Sequence, residues 1–147
     1  MKDPTILVVD DNPDHLELTA MALAECCDAS RVLTLGDGSE ALDYLFGRGT
    51  HARRDTRLQP RVVILDMKLV RMNGLDVLRA IRADPRSRMV PVVMHSSSTE
   101  ETDIAACYAA GANSYMGKAT DYDELRRKMR QAYEYWVTVN ECTGPRD

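Results

Sequence analysis

The sequence predicts an α/β domain, a doubly wound five-stranded parallel sheet with five helices, and three observations predict it. Short, apolar, β-branched runs recur five times, a segment with helical spacing follows each, and turn residues separate the two. Strict alternation of strand and helix calls for a mostly parallel sheet covered on both faces and joined by right-handed crossovers.

The first strand is TILVVD (5–10), and NPDHLELTAMALAEC (12–26) follows with Leu16, Ala20, Leu23 and Ala24 at helical spacing. Asn12 can cap that helix and Pro13 suits its first position. RVLTLG (31–36) is the second strand, and GSEALDYLFG (38–47) a helix stopped by Gly47. Arg48 to Pro60 reads as the longest irregular piece, its basic cluster GRGTHARRDTR (47–57) as a solvated loop. RVVILD (61–66) is the third strand, and GLDVLRAIRAD (74–84) a helix closed before Pro85. PVVMHS (91–96) precedes a helix over 99–111, and NSYMGK (113–118) precedes one long helix over 121–139 capped by Asp121.

At 147 residues, 44% hydrophobic and 29% charged, the chain fits one domain, expected over 1–140 with a short tail at 141–147. No apolar stretch approaches the ~20 residues of a membrane span, and two aspartates arrive before a secretory signal could develop. The expected location is the cytoplasm. A net charge of -4 argues against a nucleic-acid-binding surface. Cys26, Cys27, Cys107 and Cys142 show no metal-ligand spacing and read as reduced, structural thiols.

In a sheet of this kind ligands sit at the carboxyl ends of the strands. Those ends carry Asp10 with Asp11, Asp66, Ser96 and Lys118. Clustered carboxylates repel, and a hard divalent cation on an oxygen-only site, Mg²⁺ above all, relieves that repulsion. An amine and a hydroxyl opposite would hold the oxygens of a phosphoryl group. The set describes phosphoryl transfer to a carboxylate, with Asp66 as nucleophile. Each residue alone has an ordinary reading: Asp11 as a turn residue, Ser96 as a helix cap, Lys118 as an exposed lysine, Tyr115 as a packing residue. Those readings require unrelated coincidences at four strand ends. His95, beside Ser96, is expected to face the other side of its strand and to pack.

The stretches VVDDN (8–12), VVILDMKLVRMNGLDVL (62–78), PVVMHSS (91–97), AAGANSYMGK (109–118) and DYDEL (121–125) occur in this order along the chain. With them the sequence resembles the receiver domain of two-component response regulators, a flavodoxin-like, CheY-like fold with strand order 2-1-3-4-5. The resemblance implies that Asp66 accepts a phosphoryl group from a sensor histidine kinase. It further implies that Asp10, Asp11, Asp66 and the main-chain carbonyl of Lys68 hold Mg²⁺, that Ser96 and Lys118 contact the phosphoryl oxygens, and that the Tyr115 rotamer follows phosphorylation. The long loop, ALDYLFGRG (41–49) and YEYWVTV (133–139) resemble the single-domain regulators that partner bacteriophytochrome histidine kinases.

Departures from the family pattern lie close to the chemistry. Ala119 stands where most receivers carry a proline after a cis peptide, and cis costs roughly 2.5 to 4 kcal/mol before any other residue, so the bond is expected trans. Lys68 stands where the family often has Asn, and an amine near Asp66 would alter the phosphoryl lifetime. Val70 replaces a usual proline and loosens its loop.

The leading expectation is a stand-alone, non-enzymatic phosphoacceptor that signals to a downstream protein or phosphotransfer partner by a change of surface, since no output module follows residue 140. The aromatic tail, Tyr133, Tyr135 and Trp136, suggests a homodimer. The alternative is a phosphorylation-independent adaptor. An aspartyl phosphatase would need an acid where Lys68 stands, and flavin or dinucleotide binding would need a Gly-rich loop where the chain has DDNPD (10–14).

Overall fold

The structure, a computed structural model, describes residues 4–144, so the end of the expected tail, 145–147, and residues 1–3 lie outside the described residues. Its strands are β1 (Ile6–Val9), β2 (Val32–Leu35), β3 (Val62–Asp66), β4 (Val92–Ser96) and β5 (Ser114–Gly117). The helices are α1 (Pro13–Ala24), α2 (Gly38–Phe46), α3 (Gly74–Ala83), α4 (Glu101–Ala109) and α5 (Tyr122–Tyr133). All four strand pairings are parallel, as the alternation predicts, and the order is β2-β1-β3-β4-β5, as the resemblance implies.

The period-2 alternation of the buried strands sorts side chains between two apolar layers. Leu7, Val9, Val63, Leu65, Val92 and Met94 pack with Leu45, Leu78 and Ile81 of α2 and α3. Ile6, Val8, Val62, Ile64 and Val93 pack with Leu23 of α1 and Leu125 and Met129 of α5. Each fully buried Leu or Ile contributes roughly 1.5–3 kcal/mol.

Helix boundaries follow local chemistry. The Asn12 side chain accepts from the backbone N–H groups of Asp14 and His15 at 3.0 and 3.2 Å, and α2 ends at Gly47 in the left-handed region, φ 66°. Asn73 caps α3 by accepting the Leu75 N–H at 2.8 Å. Gly74 lets that cap approach β3: a Cβ there would lie 2.2 Å from the Asp66 carbonyl oxygen.

Three expectations are revised. The α4 helix starts at Glu101 rather than 99, because the Ser98 hydroxyl takes the Glu100 N–H at 3.2 Å and holds the preceding turn out of the helix. The last helix is not one α-helix to 139. It becomes a π-helix over Glu134–Val139, where the Thr138 hydroxyl bonds back to the Glu134 carbonyl and the Asn140 N–H reaches Tyr135 O at 2.6 Å. The basic stretch is not simply solvated: the Arg54 guanidinium lies 3.7 Å from the Tyr44 ring centroid and donates to the Tyr44 and Leu58 carbonyls.

A second arginine closes the base of the sheet. Arg82, at the end of α3, donates to the carbonyls of Gly111 (2.8 Å), Arg88 (3.0 Å) and Val90 (2.7 Å) and to Asn113 Oδ1 (2.7 Å). The peptide bond between Lys118 and Ala119 is trans, and the cysteines are thiols, with Cys107 buried.

Candidate functional site

Register alone builds the site. Val9 pairs with Leu65, so Asp10 and Asp66 emerge side by side from the two central strands. Ser96 pairs with Gly117, which delivers Ser96 and Lys118 to the same rim. Carboxylate oxygens of Asp10, Asp11 and Asp66 lie within 4.8 Å of one another, and Asp10 and Asp66 are only 4% and 7% exposed.

One amine bridges two of these acids. Lys118 Nζ lies 3.1 Å from Asp66 Oδ2 and 3.3 Å from Asp10 Oδ2. Burial pushes the Asp66 carboxyl above the usual carboxylate range, and the Asp10 charge adds to that, while the Lys68 N–H and Lys118 oppose it. The remaining oxygens are held by backbone: Asp66 Oδ1 accepts the Lys68 N–H at 3.1 Å, Asp10 Oδ1 the Asn12 N–H at 2.9 Å, and Asp11 Oδ2 the Val70 N–H at 2.9 Å. Two buried acids and a partly exposed third facing one lysine leave uncompensated negative charge, and an all-oxygen donor set of that charge suits a hard divalent cation.

The other expected residues stand around this centre. Ser96, 1% exposed, accepts the Ser98 N–H on its hydroxyl at 3.1 Å. Tyr115 does not touch the carboxylates; its hydroxyl donates to the Ser98 carbonyl at 2.8 Å, in the loop that follows Ser96. Lys68 turns its backbone N–H to Asp66 while its side chain is exposed. His95 is buried on the α1 and α5 side, opposite Ser96, and lines a cavity of about 230 Å³ with His15, Thr19, Ala119 and Leu125.

Two neighbours escaped the sequence reading. His15 Nδ1 sits 3.5 Å from Asp10 Oδ2, and Lys128 Nζ donates to the Gly117 carbonyl at 2.6 Å. His15 lies one helical turn after the capping Asn12, a spacing that could have been noticed; nothing in the sequence marks Lys128 among the charges of its helix.

A sheet of this order with acids and a lysine converging on its carboxyl rim defines a receiver-type site. The chain belongs to the response regulator receiver domain family, whose model matches residues 6–130. It is 36% identical over 148 residues to the probable methanogenesis regulatory protein FilR2 of Methanothrix harundinacea, covering 98% of this chain and 91% of that one. The phosphorylated cyanobacterial phytochrome response regulator RcpA superposes with a TM-score of 0.87 at 30% identity, over 98% of this chain and 100% of RcpA. The bacteriophytochrome response regulator AtBRR gives 0.73 at 38% identity, over 97% of each chain. The chain spans about half the length (48%) of the DNA-binding response regulator MtrA of Mycolicibacterium smegmatis, which it also matches. Regulators of this family are non-enzymatic phosphoacceptors that act with sensor histidine kinases.

Proposed function

We propose that the protein is a stand-alone response regulator in which Asp66 accepts a phosphoryl group from a sensor histidine kinase. The observation that carries this reading is the buried Asp66 carboxylate held 3.1 Å from Lys118 beside two further acids. An Asp66 oxygen attacks phosphorus as the donor's P–N bond breaks, and the leaving imidazole takes up a proton. Lys118 and the Ser96 hydroxyl hold the phosphoryl oxygens. Asp10, Asp11, Asp66 and the Lys68 main-chain carbonyl would hold Mg²⁺, which when bound neutralises charge developing on those oxygens.

Transfer replaces a carboxylate by a dianion beside the loop that Ser96 and Tyr115 share. Lys118 is drawn to the new oxygens, the bond from Tyr115 to Ser98 is biased, and the surface of α4, β5 and α5 shifts towards binding a downstream protein or phosphotransfer partner. The likeness to RcpA and AtBRR supports a bacteriophytochrome as the kinase. No described helix is long and apolar enough to cross a membrane, in keeping with action in the cytoplasm as a single receiver domain over 1–140. Its own chemistry is confined to Mg²⁺-dependent self-phosphotransfer and autodephosphorylation, without nucleic acid as a partner.

The test is intact mass after incubation with Mg²⁺ and a small acyl phosphate, and then with a histidine kinase. One hydroxylamine-sensitive phosphate is expected on the wild type and none on Asp66→Asn. Wild type that stays unmodified by both donors overturns the phosphoacceptor reading in favour of an adaptor.

A further inference from the structure

We infer that Lys128 is a positioning residue for Lys118, an inference that rests on the phosphoacceptor reading of Asp66. The peptide group between Gly117 and Lys118 is held at both ends. Its N–H, from Lys118, donates to the Ser96 carbonyl at 2.8 Å, and its C=O, from Gly117, accepts from Lys128 Nζ at 2.6 Å. Because the peptide unit is planar, two bonds to its opposite atoms fix its orientation. The Lys118 side chain then leaves the backbone from a set direction. That direction matters, because the amine must span a flexible four-carbon stem to sit 3.1 Å from Asp66 and 3.3 Å from Asp10.

After Lys118 the chain packs Ala119 against the apolar layer shared with α1 and α5. The bond to Ala119 is trans and Ala119 carries no ring to restrict the chain. What restrains the segment is the same helix: the Thr120 hydroxyl donates to Glu124 Oε2 at 3.1 Å, and Glu124 Oε1 lies 3.3 Å from Lys128 Nζ. Glu124 and Lys128 are spaced i,i+4 and share one face of α5. Thr120 first, and then Lys128, hold the Glu124 carboxyl below its ordinary range, so the pair stays charged. Residues 117 to 120 are thus strapped to α5 at both ends through one ion pair. An exposed i,i+4 pair alone contributes little, but Lys128 is 21% exposed and its bond to Gly117 is charge-assisted.

The test is a double-mutant cycle on phosphorylation by an acyl phosphate donor, with Mg²⁺ affinity measured separately by titration calorimetry. Lys128→Met keeps the apolar stem and removes the donor; it is expected to slow phosphorylation about tenfold at saturating Mg²⁺. Lys128→Arg restores part of the rate. In a Lys118→Ala background Lys128→Met costs nothing further, because its effect runs through Lys118. Undiminished rates in Lys128→Met, or losses that add fully in the double variant, overturn the inference. A wild type that takes no phosphoryl group overturns the reading of Asp66 instead. The positioning role is then decided by the Lys118 side-chain amine resonance, which moves in Lys128→Met if the strap holds and stays fixed if it does not.

Discussion

His95 shows how much a single position owes to its strand. Alternation places it on the face opposite Ser96, and that much was legible in PVVMHS (91–96). Its depth was not, because burial depends on α1 and α5 closing over it from distant parts of the chain. At 3% exposure, desolvation first and the charge of Lys118 second push its pKa from the ordinary 6.5 down to about 4. Between those values the unfolded chain binds a proton that the folded chain refuses. Stability therefore falls as pH drops from 6.5 towards 4 and levels off below, a loss of up to about 3 kcal/mol. Urea unfolding at pH 7 and pH 5 should show that slope in the wild type and a shallower one in His95→Phe.

At the junction of β3 with α3 the backbone of the two elements leaves no room for a side chain on Gly74. A Cβ on Gly74 would meet the Asp66 carbonyl at 2.2 Å and Met67 Cα at 2.8 Å, so Gly74→Ala must push the helix start away from the strand that carries Asp66. The expected cost is about 3 kcal/mol, at the upper end for overpacking, read as a lower thermal midpoint. The strands were legible because buried parallel strands are continuous apolar runs with little else they could form, whereas their order came only with the resemblance to a known family. The end of α5 was not. YEYWVTV (133–139) has helical spacing, but the change to π geometry rests on the Thr138 hydroxyl competing for the Glu134 carbonyl, which spacing does not record. The candidate residues Asp10, Asp66, Ser96 and Lys118 were legible for the same reason as the strands: a strand end is a position in the sequence, and register converts it into a position in space, whereas Tyr115 and the Lys68 carbonyl came only with the resemblance. The strap from Lys128 to Gly117 joins a helix to a strand end, and no pattern along either element encodes it.

At the scale of the whole molecule, the end of the last helix presents exposed apolar side chains. Tyr135 and Val139 are 49% and 63% exposed, and Tyr135 meets Trp136 edge to face with centroids 4.8 Å apart. We expect a homodimer through this surface, with sedimentation showing a dimer for the wild type and a monomer for Tyr135→Glu with Val139→Glu. The far end of the sheet behaves differently. Arg82 ties the end of α3 to the carbonyls of Gly111 and Val90, and Asn113 in turn takes the Val92 N–H at 2.8 Å. Those bonds would act as a bearing, resisting any sliding of β4 and β5 along their axes if the opposite rim is disturbed. If Asp66 is phosphorylated as proposed, we expect the response to leave sideways, through side chains and α4 at the flank rather than through the floor of the molecule, so that a partner must grip a flank to feel it.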